Sequence, residues 1–221
     1  MTTTRLDLFS NVHKGLRAAL FEAATLVART DFASADAAGA AASHCMATLR
    51  FLEEHAEHED AVVMPELKAL SPELHVALQS DHACTDGLQR ELAQLLERLD
   101  RATLAERVSL GRRIHDRVWT LAAEHVRHMQ REEQDAMRML WAHRSDDELR
   151  AMHGRILARI APRRTSEWLA LMLPAMSVSE RASIIGELRA KLPADALGAL
   201  LSPARAALGP AWGATALAAN L

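Results

Sequence analysis

His55-Ala56-Glu57-His58-Glu59-Asp60 and His128-Met129-Gln130-Arg131-Glu132-Glu133 are the two stretches whose reading decides the fold. Each sets an imidazole four residues before a carboxylate, with a second acid directly after it. On an α-helix that spacing stacks both side chains on one face, about 6 Å apart along the axis. A lone histidine precedes each copy, His13 before the first and His82 before the second. A lone imidazole, then an imidazole–carboxylate pair, written twice, is what a helical bundle needs to hold two metal ions between its helices.

The surrounding sequence is helical in character. Alanine is abundant, proline is scarce before Pro162, and apolar residues recur at spacings of three and four without strand-like alternation. A first helix is expected over residues 5–29, with His13, Leu16, Leu20 and Val27 on one side. A turn over 30–39 leads to a second helix reaching about residue 69, whose seam reads Leu52, His55, Glu59, Val62. Ser71-Pro72-Glu73 is a start signal, a capping serine followed by proline at the first helical position. The third helix runs from there to about Leu99 and aligns Leu78, His82, Thr85 and Leu92. Thr103 and Glu106 form a capping box that opens a fourth helix. Its seam reads Ile114, Val118, Leu121, His125, His128, Glu132, and it ends near His143, before a second box at Ser145 and Glu148.

Four long helices joined by short loops pack antiparallel, up-down-up-down. Ligands on adjacent helices then share a level if they lie equally far from the turn between them. His13 and His55 are centred on residue 34, inside the first turn. Glu59 and His82 are centred beside Ser71, and His82 and His128 on residue 105, just past Thr103. The last mismatch is roughly 3–5 Å at the helical rise. A single seam histidine is more often a hydrogen-bonded core residue, and one His-x-x-x-Glu is a common helical pair. Two copies at one level reverse that weighting, because two buried carboxylates without cations would be costly. The predicted donors are His13, His55, Glu59, His82, His128 and Glu132. Four imidazoles and two carboxylates without a thiolate suit iron or manganese, with zinc open, and paired ions usually sit ~3.5–4 Å apart.

Bulk properties narrow the alternatives. The chain has 221 residues, 49% of them hydrophobic and 25% charged, with a formal net charge of -3. That length accommodates a bundle over 1–144 and a helical extension over 145–221. The charge balance predicts no nucleic-acid or membrane partner. Cys45 and Cys84 form no C-x-x-C and argue against a disulfide scaffold or zinc ribbon. The first residues lack the apolar core of a signal peptide, and no window approaches about 18 uninterrupted apolar residues, so a cytoplasmic protein is expected. Tyrosine is absent, which excludes tyrosyl-radical chemistry. Prolines 162, 174, 193, 203 and 210 punctuate the extension, whose apolar Trp168, Leu169, Leu171, Met172 and Leu173 are expected to pack on the bundle. A homodimer or partner contact through these helices is the alternative. His153 is isolated there and suits a surface or helix-end role.

The doubled motif, together with Glu59-Asp60-Ala-Val-Val-Met-Pro65-Glu-Leu, resembles the hemerythrin-like, or HHE cation-binding, family over residues 5–143. That resemblance implies a di-metal four-helix bundle with His13, His55, His82 and His128 as terminal ligands and Glu59 and Glu132 as bridges. Ferritin-like bundles fit less well, since their pairs read Glu-x-x-His with the carboxylate first. Two departures stand out. Oxygen-carrying hemerythrins have a second histidine one turn after the first on the third helix, where this chain has Asp86. Their last carboxylate is an aspartate five residues after its histidine, where this chain has Glu132 at four. Asp86 and His125 are therefore the candidate additional ligands, and Glu57, His58 and Glu133 are expected to matter less than the six.

If both ions are six-coordinate, roughly twelve positions need filling, and the four imidazoles and two bridges leave about four for exogenous groups. So open a centre predicts a non-haem di-iron protein that binds or reacts with O2, NO or peroxide, in sensing, iron handling or stress response. A di-iron enzyme reducing peroxide or NO is the alternative, with Asp86 as a candidate proton donor. A regulatory module acting through its C-terminal helices is a further one.

Overall fold

The computed structural model describes residues 5–219, and no strand occurs among them. Helices α1 (Ser10–Arg29), α2 (Ala35–Val62), α4 (Pro72–Glu97) and α5 (Leu104–Arg131) form the bundle, with short α3 (Met64–Leu70) between α2 and α4. A π-helical turn, Glu132–Ala136, joins α5 to α6 (Met137–His143). α1 packs on α2 and α5, and α4 on α2 and α5, closing a ring.

The starts are written locally. Ser34 accepts from Ala37 N, Ser71 from Leu74 N with Pro72 in the first turn, and Thr103–Glu106 closes a full capping box. Three boundaries differ from the periodicity. α1 begins at Ser10 rather than Arg5, because the Asp7 carboxylate accepts from the N–H groups of Phe9 and Ser10. Arg5 instead reaches across to Asp146 and the carbonyls of Trp141 and Arg144. The second helix breaks at Val63, since Pro65 has no N–H for the ladder. The fourth helix widens at Glu132, whose carbonyl accepts from Met137 N, five residues on.

Two apolar cores fill the ring. One gathers Leu16, Leu20, Leu49, Leu52, Leu92 and Ile114. The other, at the opposite end, gathers Phe9, Val62, Leu67, Leu78, Met137 and Leu140. Each such side chain contributes about 1.5–3 kcal/mol, and together they clamp the layer of polar residues between them. Gly111 admits the Phe32 ring of the α1–α2 loop, where a Cβ would lie 2.4 Å from Phe32 Cγ.

The extension packs on this bundle. α7 (Asp146–Arg159), opened by the Ser145–Glu148 box, adds Leu149 and Met152 to the second core. α8 (Pro162–Met172) adds Trp168 to the first. With α9 (Val178–Arg189), α10 (Ala194–Leu208) and α11 (Trp212–Ala218), α8 also builds a third core around Leu173, Ile185, Leu197 and Leu201. No helix among the described residues is long and apolar enough to cross a membrane.

Candidate metal centre

The polar layer contains His13 from α1, His55 and Glu59 from α2, His82 from α4, and His128 with Glu132 from the end of α5. All six are buried, Glu132 and His13 completely. They fall into two groups, His13–His55–Glu59–Glu132 and Glu59–His82–His128–Glu132, which share both carboxylates. In the first, His13 Nε2 lies 3.1 Å from His55 Nε2 and 3.4 Å from Glu132 Oε2, and His55 Nε2 lies 3.1 Å from Glu59 Oε1. In the second, His82 Nε2 is 3.7 Å from Glu59 Oε2 and 3.9 Å from Glu132 Oε1, and His128 Nε2 is 3.3 Å from Glu132 Oε2.

These separations fit a cation. Bonds of ~2.0–2.2 Å put neighbouring donors roughly 2.8–3.6 Å apart at right to tetrahedral angles and up to roughly 4.4 Å apart at wider ones, a range that spans all six distances. Both oxygens of Glu59, both of Glu132, and His82 Nε2 are buried without a hydrogen-bond partner. Apart from the His13–His55 contact, these atoms are gathered within 4.8 Å of one another in each group without hydrogen-bond partners. Two uncompensated buried carboxylates would cost several kcal/mol, which cations between them offset.

The protonation pattern of the metal-free layer follows from its crowding. Burial pushes Glu132 well above the usual carboxylate range, and the Glu59 charge adds to it. Burial would raise Glu59 too, but the imidazoles of His55, His13 and His82 outweigh it and hold that carboxylate low. The two carboxyls are thus driven in opposite directions, Glu132 toward the neutral form and Glu59 toward the charged one. Burial pulls His82 down, yet Asp60 and Glu59 overcome it and carry the ring up to about 10. Burial also works against His13, which Glu133 and Glu59 nevertheless raise. His55 is lowered by burial, and His128 and His125 are pushed to about 3 by the same cause.

The acids that follow the two motifs act on the lone histidines. Glu133 Oε1 accepts from His13 Nδ1 at 3.0 Å and is itself gripped by Arg17 at 2.7 Å. Asp60 Oδ1 accepts from His82 Nδ1 at 3.0 Å, with Gln79 on the same oxygen at 2.8 Å. Each motif's trailing acid therefore orients the lone histidine of the other motif, leaving Nε2 free to face the centre. Sequence reasoning noted both acids and gave them no role, because their partners sit on other helices. Glu133 in particular is not the peripheral residue its position off the seam suggested.

The two additional candidates join neither group. Asp86 is exposed on α4, and the inward position beside it belongs to Thr85, whose hydroxyl donates to the carbonyls of Asp81 and His82. His125 is buried with its ring centroid 6.4 Å from that of His128, and its Nε2 has no partner. Glu57 is exposed, His58 is half-buried, and neither belongs to a group. The π-turn begins at Glu132 itself. It lets Glu132 face the centre while Ala136, Met137 and Leu140 face the core below.

The model of the hemerythrin HHE cation-binding domain family matches residues 4–140. No curated protein matches the chain.

Proposed function

The chain belongs to the hemerythrin HHE cation-binding domain family, and from that premise we propose that it is a non-haem di-iron protein whose centre binds or reacts with O2, NO or peroxide. In this reading His13 and His55 would hold one ion, His82 and His128 the other, and Glu59 and Glu132, common to both groups, would contribute to each. The observation that carries it is the set of four buried carboxylate oxygens without hydrogen-bond partners, enclosed by four imidazole nitrogens. Paired ferrous ions supply electrons and open coordination positions to a small ligand.

The protein's own groups supply the rest. Asp60 and Glu133 keep the Nδ1 protons of His82 and His13 in place, so that Nε2 stays a donor to the ion. Glu132, which burial drives toward its neutral form, would have to lose its proton to hold the ions. His125 belongs in this reading as a neutral imidazole beside the second ion, available to hydrogen-bond an exogenous ligand rather than to bind metal. The cation-binding unit is residues 1–144, supported by a family match that ends at 140 and by the new helix start at Ser145.

Metal analysis of protein purified without chelators from iron-supplemented cells should give close to two irons per chain. The anaerobically reduced protein should then develop a ligand-to-metal absorption band on exposure to O2 or NO. A metal content near zero, or no spectral response to either gas, refutes the reading.

A further inference from the structure

The C-terminal helices touch the bundle at a particular place, immediately behind the ligands of one ion. His13 is followed by Lys14, which pairs with Glu180 at the start of α9. Next comes Gly15, where a Cβ would lie 3.0 Å from Met172 Cα and 3.2 Å from the Leu171 carbonyl oxygen. The backbones of α1 and α8 are therefore in contact one residue beyond that pair, and any side chain at 15 would push them apart.

On α2, His55 is preceded by Glu54. Its Oε2 accepts from Arg164 Nη2 at 2.9 Å, from Arg164 Nε at 3.1 Å and from Trp168 Nε1 at 3.2 Å, all from α8. The Arg164 guanidinium lies over the Phe51 ring, 4.4 Å from its centroid, and Trp168 meets the same ring edge-on at 4.8 Å. Trp168 is buried in the bundle core. This clamp is an aromatic-stacked, partly desolvated ion pair in which two guanidinium N–H groups and an indole N–H converge on one carboxylate oxygen, unlike an ordinary surface contact.

We infer that the C-terminal unit is coupled to the ion held by His13 and His55, so that occupancy of that pocket and docking of α8–α9 on α1 and α2 stabilise each other. The inference rests on the di-iron reading and adds its regulated element. An ion fixes the separation and rotation of His13 and His55, hence of the helix segments that carry Lys14, Gly15 and Glu54. Those residues are the docking surface, so a shift of either helix is felt at the clamp. Because coupling free energy is reciprocal, abolishing docking would weaken affinity for the ion by the same factor that losing the ion weakens docking, and cutting the clamp should weaken it by up to about tenfold. Among the described residues, the neighbours of His82 and His128 pair within the bundle instead. Asp81, before His82, pairs with Arg131 within the bundle, and Arg127, before His128, pairs with Glu124.

The test is hydrogen–deuterium exchange on the full chain, metal-free and loaded anaerobically with Fe(II), with metal counted on the same samples. Loading should slow exchange in α8 and the first turns of α9 by about tenfold, while α11 changes little. Separately, Arg164→Ala and Trp168→Phe should each speed chelator removal of one of the two equivalents by about the same factor. Arg150→Ala, an exposed change on α7, should leave both rates alone. If Arg164→Ala does not fold, Lys14→Ala supplies the cut from the α1 side. Two bound ions with unchanged α8 exchange, or clamp variants that release both ions at the wild-type rates, overturn the coupling alone. A chain that takes up no iron overturns the di-iron reading and the coupling together.

Discussion

The two halves of the centre share both carboxylates and each adds two imidazoles of its own, yet they are backed by different surroundings. Behind His13 and His55 stand the clamp of α8 and the Arg17–Glu133 pair, whose side chains are only about a quarter exposed (27% and 24%). Behind His82 stands Asp60, whose side chain is 48% exposed, and beside His128 stands the unpartnered His125. Duplicating a motif duplicates the donors, while the neighbouring helices decide what each half can do. The first half is the more heavily braced by neighbouring side chains; the second has the more exposed supporting acid, Asp60, and the extra buried imidazole of His125 beside it.

The bridges test what the halves share. Glu59→Ala or Glu132→Ala should remove a ligand from both ions and reduce bound metal from about two per chain to well below one, measured by elemental analysis after gel filtration. Glu57→Ala, on the exposed face of the same helix, should keep both. The trailing acids then test what separates the halves. Glu133→Gln should loosen the first ion and Asp60→Asn the second, each by ~10–100-fold in affinity, as loss of a partner to a metal-bound histidine typically does. Competition titrations against a chelator would resolve the two equivalents. Equal loss of both ions in either variant would show that the centre behaves as one unit.

Much of this was legible in the sequence, for physical reasons that also mark the limit. The donors are spaced by helical geometry, so His55 with Glu59 and His128 with Glu132 could be put on shared faces without any tertiary knowledge. The starts at Ser71, Thr103 and Ser145 depend on hydrogen bonds three residues away and were equally visible. The roles of Asp60 and Glu133 depend on partners on α4 and α1, which no local pattern reports. The π-turn has no residue signature either. It is settled by the joint demand that Glu132 reach the centre and Met137 and Leu140 reach the core. Gly15 reads as an indifferent helix residue until α8 is seen against it.

Acidity and alkalinity should act on different histidines of the metal-free protein, since burial lowers His55, His128 and His125 while neighbouring acids raise His13 and His82. His128 and His125 are pushed to about 3, so they are neutral when folded and bind protons when unfolded, and stability should climb from about pH 3 to pH 6.5. His82 is raised to about 10, so its stabilising charge is complete below about 6.5 and is lost as pH rises toward 10. Denaturant unfolding of the metal-free chain should therefore give a maximum near pH 6.5. Loading with metal should remove the alkaline fall, because bound imidazoles are already unprotonated. An alkaline fall that persists in the loaded protein would mean that His82 or His13, the two raised histidines, is not a ligand.

The smallest change sharpens the comparison most. On α2 the position one turn before His55 is Leu52, fully buried in the apolar core. On α5 the position one turn before His128 is His125, buried with an unpartnered nitrogen. His125→Leu makes the halves alike. A lone buried polar atom costs about 1–3 kcal/mol, so the metal-free variant should be more stable by up to about 1–2 kcal/mol, less whatever the change in side-chain shape takes back. If His125 serves an exogenous ligand, the variant should keep two ions per chain and lose affinity for NO or azide about tenfold, the scale of one hydrogen bond to a charged or polarised group. Loss of one ion would instead make His125 a fifth imidazole ligand. Unchanged metal content with unchanged ligand affinity would reduce it to a tolerated core histidine, leaving the exposed carboxylate Asp60 as the difference that matters between the halves.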